Sequence, residues 1–103
     1  MLDLVIQDDA ERRTVSVGGE VDLSTSPELW KQVRVALRGT RMLRIRLADV
    51  SYIDSTGIAV LVQSYRAARQ QNIDLALLDP SPKVLAVIEL ARLADVFTIE
   101  TTV

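Results

Sequence analysis

The sequence predicts an α/β domain with a mixed, mostly parallel sheet and its helices mainly on one face. Two observations carry this. Apolar periodicity switches between two and about 3.6 residues along the chain, giving the order β-β-α-β-α-β-α-β. The strand candidates also alternate apolar with polar residues, whereas a strand covered on both faces reads as a continuous apolar run. Right-handed crossovers that all step the same way gather the helices on one side and leave a more polar face behind.

Each element has its own signal. In residues 2–7, Leu2, Leu4 and Ile6 share one face of a strand; in residues 13–17, Val15 and Val17 do the same, and the polar "DDAER" between them reads as a hairpin turn. Gly18-Gly19 is read as a turn or strand end. The period then becomes helical, with Leu29, Trp30, Val33, Ala36 and Leu37 on one stripe. Thr25 with Glu28 forms a capping-box pattern, Ser26-Pro27 reads as a cap followed by a first-turn proline, and Gly39 closes the helix. "MLRIRL" alternates strictly, so Leu43, Ile45 and Leu47 face the core and Arg44 and Arg46 face away. A second helix runs from Thr56 to about Gln71, with Ile58, Leu61, Val62, Tyr65 and Ala68 on one side and Asn72 as its stop. Ile73, Leu75 and Leu77 mark a strand. Ser81 and Pro82 open a third helix, and "VFTIE" is a short last strand. One domain over residues 1–103 is expected, with no internal repeat or linker.

Composition bounds the function. Hydrophobic residues make up 49 % of the 103, and aromatics only 4 %, so the core is aliphatic. A formal net charge of −2 argues against direct nucleic-acid binding. The chain contains neither histidine nor cysteine, which excludes Ser-His-Asp and Cys-His nucleophiles, disulfides and the common zinc sites. No phosphate-loop or dinucleotide fingerprint is present. We therefore expect no catalytic residues, no metal and no cofactor. No apolar run approaches a membrane span, and Asp3, Asp8 and Asp9 interrupt the region a signal peptide would need. A cytoplasmic monomer without membrane insertion is the expectation.

The informative stretch is "VSYIDSTGIAVLV", residues 50–62, where two apolar segments are split by Asp54-Ser55-Thr56-Gly57. The break falls at the end of a strand and the start of a helix, the edge where α/β proteins usually place their sites. Asp, Ser and Thr are preferred helix caps, which alone accounts for the motif. The functional alternative is that Thr56 or Ser55 accepts a phosphate. A helix start tolerates an anion, whereas a partner docked over it does not. Gly57, without a Cβ, would let another chain approach closely.

"GEVDLSTSPEL" (residues 19–29) and "DVSYIDSTGIAVLV" (residues 49–62) resemble the two hallmarks of the STAS domain family, and the likeness spans nearly the whole chain. The resemblance implies an anti-sigma factor antagonist whose phosphoacceptor is Thr56. It implies a partner that is an anti-sigma factor and a serine/threonine protein kinase using ATP. The unphosphorylated form would bind that kinase and free the sigma factor, and phosphorylation would end the binding. It further implies a contact surface of Asp22, Asp54, Ser55 and Gly57, with Ser24 and Thr25 beside them. Family members often carry an acid where this chain has Arg46, and many carry a T-G-L segment where it has Ala91-Arg92-Leu93. A different role within the family is an accessory subunit docking on the ATPase of a bacterial ABC-type lipid transporter. Nucleotide binding is a third reading, weakened by the missing phosphate loop.

Other features have plainer readings. Glu20 is expected at a solvated strand end. Arg41, Arg44 and Arg46 form a basic cluster, either a solvated face paired with acids such as Asp3 or Asp74, or an anion site. Trp30 is expected to pack against the core.

Overall fold

The computed structural model describes residues 2–9 and 11–102. The elements are β1 (Leu2–Asp9), β2 (Arg12–Val21), α1 (Ser26–Ala36), β3 (Met42–Ile53), α2 (Ser55–Gln70), β4 (Asp74–Leu78), α3 (Pro82–Leu90) and β5 (Ile99–Glu100). They form one sheet in the order β1-β2-β3-β4-β5. β1 and β2 are antiparallel, and β2 through β5 are parallel. Each crossover moves one strand further in the same direction, which puts α1, α2 and α3 on a common face. The expected order and sheet type are those observed.

The core lies between that face and the helices. Val15, Val17, Leu43, Ile45, Leu47, Leu75 and Leu77 meet Leu29, Val33, Leu61, Val84 and Ile88, all buried. Trp30 packs partly buried against this cluster, as its helical register requires. Its outer side is covered by the Arg34 guanidinium, 5.6 Å from the ring centroid.

Three local expectations are corrected. Gly18 and Gly19 are not a turn but lie within β2, where the ladder to β3 shifts register between Ser16 and Gly18 and again between Gly19 and Glu20. Gly19 takes φ +91 there, a conformation that glycine adopts freely. The Thr25–Glu28 capping box does not form; the Thr25 side chain makes no cap bond to α1. Arg44 is not solvated: it is only 3 % exposed on the face away from the helices. Its guanidinium makes paired bonds of 2.8 and 2.9 Å to the Glu100 carboxylate and lies 3.5 Å from Asp74. The expected acid Asp74 is thus a partner, but Glu100, distant in sequence, is the principal one.

Two helices end in the same way. Asn72 takes φ +56, and the N–H of Ile73 reaches back 2.8 Å to the Ala68 carbonyl. Arg92 takes φ +59, and the N–H of Leu93 reaches 3.0 Å to the Ile88 carbonyl. Both are left-handed helix stops. Asn72 suits that backbone, whereas Arg92 bears a Cβ penalty.

Candidate functional site

The site is built where β2 and β3 end and α1 and α2 begin. The Asp54 N–H donates to the Val21 carbonyl at 3.1 Å, so the ends of the two strands stay locked together. Beyond this bond each chain turns into a helix, and each turn is organised by an aspartate.

Asp54 is the N-cap of α2. One oxygen, Oδ1, accepts from the Thr56 N–H at 2.9 Å and the Gly57 N–H at 3.3 Å. The Thr56 hydroxyl donates to the same oxygen at 2.5 Å. These donors hold the Asp54 carboxyl below its ordinary range, the Thr56 hydroxyl first among them, while neighbouring Asp22 pushes the other way. Asp54 therefore does two things: it satisfies orphan N–H groups of the helix, and it fixes the rotamer of the Thr56 hydroxyl.

Asp22 organises the other turn. Its Oδ1 accepts from the Ser24 N–H at 3.0 Å, the Ser24 hydroxyl at 2.8 Å and the Thr25 N–H at 3.1 Å. The Ser24 hydroxyl is the main cause of its lowered pKa. Charge repulsion from Asp22 reaches Asp54, so the two sequence motifs meet in space, with Asp54 bonded to the Thr56 hydroxyl and Asp22 neighbouring Asp54.

The other named residues divide. Ser24 and Ser55 are exposed, and Thr56 is half-buried at the rim. Thr25 is turned inward: its hydroxyl donates to the Glu20 carbonyl at 2.9 Å and accepts from the Asp22 N–H at 2.9 Å. The hydroxyl also lies 3.2 Å from Asp22 Oδ1, and these contacts stiffen the turn. Gly57 is also corrected. It is buried, and a Cβ there would lie 2.7 Å from both Ile53 Cγ1 and Val21 Cγ1. Its missing side chain makes room for Val21 and Ile53 of the core.

Two residues near this edge escape the sequence reading. Leu23 is 75 % exposed on the hydrogen-bonded turn between Asp22 and Ser24, and Tyr52 is 47 % exposed two residues before Asp54. The available signal for Leu23 was an apolar residue stranded inside the polar "DLSTS", outside any strand or helix period. Among the described residues no group of three or more His, Cys, Asp or Glu is placed to hold a metal ion. None of their helices is long and apolar enough to cross a membrane.

Known proteins match this arrangement. The STAS domain family model covers residues 1–103. The chain is similar to the anti-sigma-B factor antagonist of Listeria monocytogenes, 32 % identical over 93 residues, covering 89 % of this chain and 82 % of that protein. It is similar to the Staphylococcus aureus protein of the same name, 39 % identical over 83 residues, covering 79 % and 76 %. Among solved structures, an anti-sigma factor antagonist from Mycobacterium paratuberculosis superimposes with a TM-score of 0.91 at 23 % identity, covering 100 % of this chain and 88 % of that one. Unphosphorylated SpoIIAA, an anti-sigma factor antagonist, does so with 0.80 at 17 %, covering 97 % and 89 %. These two structures share the fold. By the family match and the two antagonist relatives, the chain belongs to the STAS domain family.

Proposed function

We propose that this protein is an anti-sigma factor antagonist switched by phosphorylation at Thr56. The unphosphorylated form binds an anti-sigma factor that is also a serine/threonine protein kinase and so frees a sigma factor. The names of the Listeria and Staphylococcus relatives support the role. The observation that carries the switch is the Thr56 hydroxyl, held at the rim of the α2 start by Asp54.

The chemistry follows from that placement. Thr56 Oγ1 attacks the γ-phosphorus of ATP on the kinase, the bond to the ADP leaving group breaks, and the hydroxyl proton passes to a base. Asp54 holds that proton in a hydrogen bond before reaction and keeps the oxygen oriented. The product carries roughly −1.5 to −2 charges at neutral pH. They sit beside the Asp54 carboxylate, whose pKa is lowered. The helix N-terminus offsets part of this charge in the free protein. A docked partner would have to bury it unpaired, at a cost of about 3–5 kcal/mol. At about 1.4 kcal/mol per tenfold, that weakens binding by at least a hundredfold. The fold survives and the complex does not.

The test is a lysate of the source cell supplied with ATP, with the modified residue mapped by mass spectrometry. A single phosphate on Thr56, lost in Thr56→Val, is the expected result. Phosphate on Ser55 alone, or none, overturns the assignment.

A further inference from the structure

An open groove of about 480 Å³ runs between α2 and the segment that follows α3. Its walls are Val62, Tyr65, Leu93 and Val96, and two cations, Arg66 and Arg69, stand along it. Gln70 completes the lining, and among the described residues no carboxylate lines it. The volume falls within the roughly 300–1,000 Å³ of small-molecule sites.

The walls are preformed. The Tyr65 ring packs edge-on against buried Phe97, with centroids 6.1 Å apart at 84°. The Arg69 guanidinium lies 5.8 Å from the Tyr65 centroid, which holds its charge over the groove. Arg66 is exposed, and among the described residues neither arginine is ion-paired. Leaving two guanidiniums unneutralised beside an apolar trough favours a ligand that supplies both an anion and a tail.

We propose that this groove binds a small amphiphile with a carboxylate head and an alkyl tail. A planar carboxylate matches the guanidinium fork, and the tail displaces water from Val62, Leu93 and Val96. The apolar walls and the lack of a phosphate-loop motif disfavour a nucleotide. The groove is open to solvent, so the tail stays partly wet and affinity is modest. The site begins six residues beyond Thr56, about 9 Å along the α2 axis. It does not depend on the phosphorylation reading.

The test follows methyl resonances of Val62, Leu93 and Val96 during titration with dodecanoate below its micelle concentration. Dodecyltrimethylammonium, with the same tail and the opposite head, is the control. The expected result is saturable shifts with dodecanoate and at least tenfold weaker binding of the ammonium. In the double variant Arg66→Gln, Arg69→Gln that preference disappears while the melting temperature holds. Equal binding of both heads, shifts centred on other methyls such as Val5 and Ile6, or no shifts up to millimolar dodecanoate would each overturn the proposal.

Discussion

Gly57→Ala sets two effects of known size against each other. Alanine is the better helix former, by about 0.8–1.0 kcal/mol in a helix interior and less in the first turn. The new Cβ, however, lands 2.7 Å from Val21 Cγ1 and from Ile53 Cγ1, and 3.1 Å from Ile53 Cδ1. Ordinary carbon contacts lie at about 3.5–4.0 Å, so something must move by about 1 Å. Both neighbours are β-branched and buried, with little rotamer freedom to give. Overpacking of this kind costs about 1–3 kcal/mol. The clash wins, and we expect a net loss of about 1–2 kcal/mol. For a domain of this size that lowers the melting temperature by about 4–16 °C. Urea unfolding measures it directly. The cause is checked with Val21→Ala, which removes the clashing Cγ1: the double variant should lose less than the sum of the singles by over about 0.5 kcal/mol. Unchanged or raised stability in Gly57→Ala, or strict additivity, would refute the claim that this glycine exists for the core.

Four further outcomes are expected. Arg92→Gly removes a Cβ from a left-handed helix stop and should raise stability by about 0.5–1 kcal/mol in urea melts. Glu100→Gln leaves the 3 % exposed Arg44 without its paired carboxylate; because Glu100 itself is partly solvated, calorimetry should show a loss of about 1–3 kcal/mol. Asp22, Asp54 and Asp79 all have folded pKa values below the ordinary 3.8, through the hydroxyls of Ser24, Thr56 and Thr102 respectively. Their stabilisation is therefore present above 3.8 and lost as pH falls through the lower folded values, so the urea midpoint should hold near neutrality and drop in acid, less steeply in Asp54→Asn. Leu23→Ser should leave the unfolding free energy within about 0.5 kcal/mol of wild type, yet weaken binding of the proposed kinase partner about tenfold or more by calorimetric titration, as loss of about 1.5–3 kcal/mol of Leu burial does.

Periodicity carried most of the fold. Alternation in "MLRIRL" and the helical stripe from Ile58 to Ala68 each depend only on neighbouring residues, and both elements stand where expected. Asp54 as a cap and Ser81 as a cap were legible for the same local reason. What was hidden depended on distant partners. Arg44 looked solvated because nothing near it in sequence reveals Glu100, 56 residues on. The Thr25–Glu28 pattern was a plausible capping box, but the Glu20 carbonyl and the Asp22 N–H took the Thr25 hydroxyl instead. Gly57 read as an open approach because the direction of an absent Cβ is a property of the tertiary packing. The meeting of Asp22 with Asp54 was not in the spacing either; it came from the family resemblance, and the backbone bond joining the ends of β2 and β3 is its physical basis.

The most direct test of the switch compares wild type with Thr56→Glu as bait in a pull-down from the source cell's lysate, with retained proteins identified by mass spectrometry. The account predicts that wild type retains an ATP-binding anti-sigma factor kinase and that Thr56→Glu, folded by circular dichroism, loses it. Equal retention of that kinase by both forms, or retention of a transport ATPase by both, would contradict it.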